Sequence, residues 1–102
     1  PKWKDDQTFF SWMLERNPKS FNAINRLADI EREAGRLQNA LDLYQASLQV
    51  AAWQPYPWLY SAFTQHQLGR KDEAIATLKS LLAKYPGYEP AETNLKMLLE
   101  SN

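Results

Sequence analysis

From Leu37 through Ala40, Leu41, Tyr44, Ser47 and Leu48 to Ala51, apolar and small side chains recur at steps of three and four. That spacing places them on one stripe of an α-helix. Residues 71 to 85 follow the same rule through Ala74, Ile75, Leu78, Leu81, Leu82 and Tyr85. A glycine precedes each stretch, Gly35 and Gly69, and another segment with helical spacing precedes each glycine: Phe21, Ile24, Leu27 and Ala28 in one case, Trp58, Leu59, Ala62 and Phe63 in the other. The run Gly35-Arg36-Leu37-Gln38-Asn39-Ala40 returns 34 residues later as Gly69-Arg70-Lys71-Asp72-Glu73-Ala74. The pattern therefore predicts helix, glycine corner, helix, twice over.

A fixed period with helical spacing inside it is the mark of an array of helical hairpins. Glycine supplies the left-handed residue that ends the first helix of each hairpin. Ala40 and Ala74 stand where two antiparallel helices cross, so a larger side chain there should cost about 1–3 kcal/mol by overpacking. One hairpin cannot bury its stripe alone, so neighbours must stack, and the sequence predicts a single continuous apolar interior. The expected division is one domain over 1–102: a half-repeat helix at 5–17, repeats at 20–52 and 54–86, and a capping helix with a polar outer face at 89–101.

These residues resemble the tetratricopeptide repeat family. Trp58, Ala62, Gly69, Ala74 and Pro86 fit its pattern in the second repeat, and Leu27, Ala28, Gly35, Ala40 and Tyr44 fit it in the first. Three positions depart from it: Ile24 stands at the Trp-like site, Ser47 where a small Ala is common, and Ala52 at the closing Pro. The last departure leaves the second helix of the first repeat free to run on to Trp53. The resemblance implies an all-α fold, a right-handed α-α superhelix of about six helices. It also implies a concave groove built from the first helix of each hairpin, where a peptide or protein segment binds. In that register the groove side carries Asn22, Asn25, Arg26 and Asp29, then Tyr56, Leu59, Tyr60, Phe63 and His66, with Arg32 and Glu33 on the same polar face.

Composition narrows the function further. Residues 43–68 contain no Asp, Glu, Lys or Arg, yet hold six large aromatics among five glutamines. Uncharged aromatic surface of this kind favours interface centres, and Leu59 and Phe63 are equally placed to pack against the preceding helix pair. Pro55 and Pro57 suit a first helical turn. Over the whole chain of 102 residues, 12 Lys and Arg balance 12 Asp and Glu. No polybasic surface exists to release counterions from a nucleic acid, so none is expected as a partner. No run of about 18 apolar residues is present, so no membrane insertion is expected of this soluble piece. Zero cysteines exclude disulfides, thiolate chemistry and cysteine-rich zinc sites. The lone histidine, His66, has no second His or Cys with which to hold a metal. Ser11, Ser20, Ser47, Ser61 and Ser80 lack an identifiable base, and there is no glycine-rich phosphate loop. No cofactor, metal site or enzymatic activity is expected.

At the N-terminal end, Asp5 and Asp6 would cap a helix holding Phe9, Phe10, Trp12, Met13 and Leu14, and Ser20 would cap the next one. Phe10, Met13 and Leu14 overlie Tyr44, Ser47 and Leu48 at the repeat offset. Phe9 and Trp12 form an added edge that either folds onto Trp3 and the next hairpin or serves self-association. Trp3-Lys4-Asp5-Asp6 followed by Asn17-Pro18-Lys19-Ser20 is also similar to the junction that precedes tetratricopeptide tails in some bacterial membrane glycosyltransferase-like proteins, which would put the piece outside the cytoplasm, in the periplasm. Otherwise a cytoplasmic setting is equally compatible. Two functions follow. One is a docking scaffold for a peptide or protein. The other is a structural or self-assembling appendage of a larger protein, forming a homo-oligomer through its open edges.

Overall fold

The computed structural model describes residues 21–101. Among these residues it contains five α-helices and no strand: α1 (Phe21–Glu33), α2 (Leu37–Val50), α3 (Pro55–Gln67), α4 (Lys71–Lys84) and α5 (Glu89–Glu100). The expected helix at 5–17 and the Ser20 cap lie outside the described residues. Helices adjacent in sequence pack on one another, α1 on α2, α2 on α3, α3 on α4 and α4 on α5.

The two glycine corners share one hydrogen-bond pattern. Gly35 N–H donates to Arg32 C=O at 3.0 Å and Arg36 N–H to Glu31 C=O at 2.9 Å; Gly69 N–H donates to His66 C=O at 2.9 Å and Arg70 N–H to Gln65 C=O at 2.8 Å. These paired bonds form the Schellman motif, which needs a left-handed residue between them. Gly35 and Gly69 provide it, at φ of +85° and +82°. The corner before α5 is built differently. Tyr88 N–H returns to Tyr85 C=O across Pro86 and Gly87, the residue types and bond of a type II turn.

Ala40 and Ala74 are fully buried, as the crossing of two closely packed helices requires. The interior differs from the single continuous core expected from the sequence. One cluster joins Ile24, Leu27, Ala28, Ala40, Leu43 and Tyr44 of the first hairpin. A second joins Ala62, Ala74, Leu78, Leu81, Ala91 and Leu98 across α3, α4 and α5. Helix α3 serves both, with Tyr60 against the first cluster and Trp58 and Leu59 against the second. The division has a polar cause. Ser47, Gln54, Ser61 and Thr64 are all buried around the α2–α3 step, where apolar residues would have joined the clusters.

Gln54 also explains why α2 ends at Val50 and does not run to Trp53. Its side-chain amide donates to Ser47 Oγ at 2.8 Å and to Ser47 C=O at 3.3 Å, while its carbonyl oxygen accepts from Asn25 Nδ2 at 2.9 Å. The chain must turn back sharply to place it there, and Pro55 then starts α3. At the far end, α5 stops at Glu100, and its outer surface is less polar than a cap requires. Glu92 and Lys96 are exposed, but Met97 and Leu99 are exposed with them, and Leu82, Leu95 and Leu99 line a shallow recess. Helix α5 is fully buried only through Ala91 and Leu98, Leu95 is half-buried against the second cluster, and Leu99 has no covering helix among the described residues.

Candidate functional site

The first helices of successive hairpins, α1, α3 and α5, present equivalent positions 34 residues apart. One column reads Arg26, Tyr60, Asn94 and the next Asp29, Phe63, Met97. Of the nine groove positions expected from the sequence, Tyr56, Leu59, Tyr60, Phe63 and His66 come from α3 and Asn22, Asn25, Arg26 and Asp29 from α1.

Asp29 and the tyrosines form one network. Tyr44 OH donates to one carboxylate oxygen of Asp29, and Tyr56 OH donates to the other at 2.6 Å. Arg32 Nε donates to Tyr44 OH at 3.2 Å, with the guanidinium 3.7 Å from the Asp29 carboxylate. The same guanidinium lies over the Tyr60 ring at 4.8 Å and near the Phe63 ring at 5.9 Å, within cation–π range. Tyr60 in turn stacks on Tyr44 (6.1 Å, 26°), tilts against Tyr56 (4.6 Å) and meets Phe63 edge-on (6.1 Å, 76°). Burial, then the hydrogen bond to Asp29, pushes the Tyr44 and Tyr56 hydroxyls well above the ordinary tyrosine range. Burial works against the Arg32 charge, but the bond to Tyr44 and the nearby Asp29 outweigh it and hold that group above its usual value. The network thus carries a fixed ion pair under an aromatic row.

The structure divides the nine residues by role. Asn25 is buried, and its amide is committed to Gln54, so it braces the α1–α3 step. Asp29 spends both oxygens on tyrosines. Tyr60 is half-buried against the first core, and Leu59 is half-buried against the second. Asn22, Arg26, Tyr56, Phe63 and His66 are exposed. Asn22, Asn25, Arg26, Asp29 and Tyr56 border an open cleft of about 1080 Å³ that also meets Ile30, Trp53 and Gln54. Leu59, Phe63 and His66 border a smaller one of about 160 Å³ between α3 and α5, floored by Ala62, Leu78 and Leu98 and closed by Asn94, Met97 and Ser101. A third hollow, lined by Arg32, Leu59, Tyr60, Phe63 and Asn94, links the aromatic row to that pocket. Phe9 and Trp12 lie outside the described residues, as does the junction Trp3-Lys4-Asp5-Asp6 with Asn17-Pro18-Lys19-Ser20.

Asn94 and Met97, which close the α3–α5 pocket, are absent from the positions expected from the sequence. The signal was available, because shifting Tyr60 and Phe63 by one period lands on them. Glu31 was missed for a different reason. It sits on the buried stripe with Ile24 and Ala28, and is itself buried, held by Arg36 through two bonds of 2.8 and 2.7 Å and by Asn39 at 3.0 Å. A buried carboxylate needs such partners, and Gln65, which bonds Thr77 Oγ1 at 2.7 Å, occupies the same place one period on. Among the described residues there is no cluster of His, Cys, Asp and Glu that could hold a metal, and no helix is long and apolar enough to cross a membrane.

No curated protein matches the chain. The sequence profile of the tetratricopeptide repeat matches residues 31–99, from within α1 to the last turn of α5. Repeats of this kind generally mediate protein–protein interaction and are typically non-catalytic. With the period, both glycine corners and the helical hairpins in agreement with a profile that covers well over half its length, the chain belongs to the tetratricopeptide repeat family.

Proposed function

We propose that the chain is a docking scaffold whose concave face, across α1, α3 and α5, takes an uncharged, apolar segment of a partner protein. The observation that carries this reading is the pocket between α3 and α5. Its floor is core, its volume of about 160 Å³ suits one large apolar side chain, and its lip holds Phe63 and Met97, 41% and 60% exposed. Apolar anchors entering pockets of this kind dominate peptide recognition. Tyr60 and Tyr56 extend the apolar track toward α1, and the Arg32–Asp29 pair beneath them is internally neutralised, so the aromatic part of the track offers no unbalanced charge, with Arg26 exposed beyond it. Because Tyr60 also supports the first core, its truncation would test fold and groove together; Phe63 is the cleaner probe.

Selection from a random peptide library displayed on phage tests the reading, with the parent and Phe63→Asp as baits. Peptides enriched on the parent and lost on Phe63→Asp, at equal helicity of the two baits, support it. Enrichment unaffected by Phe63→Asp refutes it. Exposed Leu99, beside half-buried Leu82 and Leu95 in the recess on α5, favours a second reading, an appendage that assembles through its ends with the parent protein or other copies. Sedimentation of Leu99→Glu against the parent tests this, since a monomer in both would remove it.

A further inference from the structure

Arg32 is set into the aromatic row with its side chain only 17% exposed. A guanidinium carries a fork of N–H donors and no acceptor. Among the described residues only Nε has a hydrogen-bond partner, the Tyr44 hydroxyl at 3.2 Å. The approach of a terminal nitrogen to Asp29, 3.7 Å, is too long for a hydrogen bond, and both Asp29 oxygens are already taken by Tyr44 and Tyr56. The terminal nitrogens therefore hold donors that the fold does not use, on a residue largely withdrawn from solvent. Donors in such a place are costly to leave unmatched.

They lie beside the path of a guest. Arg32 borders the hollow of about 290 Å³ with Leu59, Tyr60, Phe63 and Asn94, and Leu59, Phe63 and Asn94 also border the pocket of about 160 Å³ between α3 and α5. The Phe63 ring on this shared wall is 5.9 Å from Arg32 Cζ. An extended chain advances about 3.3–3.6 Å per residue, so a segment with one side chain in the pocket brings a neighbouring peptide unit against the guanidinium. The charges decide what is accepted there. Asp29 balances Arg32, which removes the net attraction for an anion. Asn94 Nδ2 donates to Pro90 C=O at 2.7 Å, which only the amide nitrogen can do, so Oδ1 is left as an acceptor on the same hollow. A donor and an acceptor together match the C=O and N–H of a main chain, whereas a carboxylate would be repelled by the Asn94 oxygen. We propose that Arg32 and Asn94 read the main chain of the bound segment: the terminal N–H groups of Arg32 donate to a backbone carbonyl beside the anchored residue, and Asn94 Oδ1 accepts a backbone N–H. This rests on the docking reading above and adds what sets the guest's register, since the pocket selects a side chain and Arg32 holds the backbone that carries it.

The uncharged peptide acetyl-Gly-Leu-amide, titrated to millimolar concentration, is the probe, with the Met97 methyl and the Arg32 guanidinium N–H signals followed by nuclear magnetic resonance. Met97 reports entry into the pocket and Arg32 reports the carbonyl, and both should shift along one binding curve. Arg32→Met should weaken the probe about tenfold, as loss of one charge-assisted hydrogen bond does. Tyr44→Phe removes the partner of Nε but leaves the terminal donors in place, and should bind within about twofold of the parent. Equal losses in Arg32→Met and Tyr44→Phe mark Arg32 as a brace and overturn the proposal. A Met97 shift without an Arg32 shift, or equal affinity of Arg32→Met and the parent, also overturns it and leaves the pocket's role standing. Silence at both groups overturns it together with the docking reading. If acetyl-Gly-Leu with a free carboxylate binds about tenfold or more tightly than the amide, the donors serve an anion and the proposal falls as well.

Discussion

Asp29 is where the sequence and structural readings diverge most in consequence, and its replacement by alanine separates them. The carboxylate holds two hydroxyls of unequal worth. Tyr44 is the largest fully buried side chain among the described residues, so its hydroxyl, once deprived of Asp29, has lost a charged acceptor in a site closed to water. Such a bond contributes about 1.5–3 kcal/mol. Tyr56 is exposed, and its hydroxyl turns to solvent at a cost of roughly 0.5 kcal/mol. The half-exposed pair with Arg32 adds at most about 0.5 kcal/mol. Asp29→Ala should therefore destabilise by about 2–4 kcal/mol and Tyr56→Phe by about 0.5. With a urea slope of about 1 kcal/mol per molar for a domain this size, the Asp29→Ala midpoint should fall by roughly 2–4 M, read by far-ultraviolet circular dichroism. A double-mutant cycle sharpens the test. Coupling of Asp29 to Tyr44 should exceed about 1 kcal/mol, and coupling to Tyr56 should stay below about 0.5. If Asp29→Ala unfolds within about 0.5 kcal/mol of the parent, or if the two couplings are equal, the residue is not the brace described and the assignment of roles within the groove fails.

Two further outcomes follow from the geometry. Gly35→Ala and Gly69→Ala should each cost about 1–2 kcal/mol, because the left-handed backbone is unfavourable for any L side chain; a Cβ would meet nothing within 4 Å at either corner, so the loss is one of backbone conformation and not of packing, and it should appear as a lower thermal midpoint at both. The raised Tyr44 and Tyr56 hydroxyls set an alkaline limit. In the unfolded chain they ionise near pH 10, while the folded chain retains their protons, so the stabilisation is complete below about pH 10 and is lost as pH rises further. Urea midpoints measured upward from pH 9 (about one unit below that limit) should decline, and Tyr44→Phe should flatten the decline.

The fold was legible because its determinants are local. A glycine that must be left-handed and an alanine at a helix crossing impose their residue types, and the period of 34 carries both into the second hairpin. The groove was legible only as a face. Spacing places Asn25 and Asp29, and Tyr60 one period on, on the face proposed as the groove, but it is blind to partners that arrive from 15 to 29 residues away, such as Tyr44 on Asp29 and Gln54 on Asn25. Those contacts give two of the candidate groove residues internal hydrogen-bond partners. The split interior was hidden for a similar reason. Ser47, Gln54, Ser61 and Thr64 read as ordinary polar residues until the α2–α3 step buries them together.

That polar seam changes how the two apolar clusters are joined. What spans it depends on angle: the Tyr44–Tyr60 stack, the hydrogen bonds of Gln54, Tyr56 on Asp29 and Arg32 over the Tyr60 ring. An apolar contact tolerates sliding, whereas bonds of this kind hold one orientation and weaken steeply away from it. The pitch between the two hairpins is accordingly set by a handful of directional contacts, much as a keyed joint sets the angle of two beams.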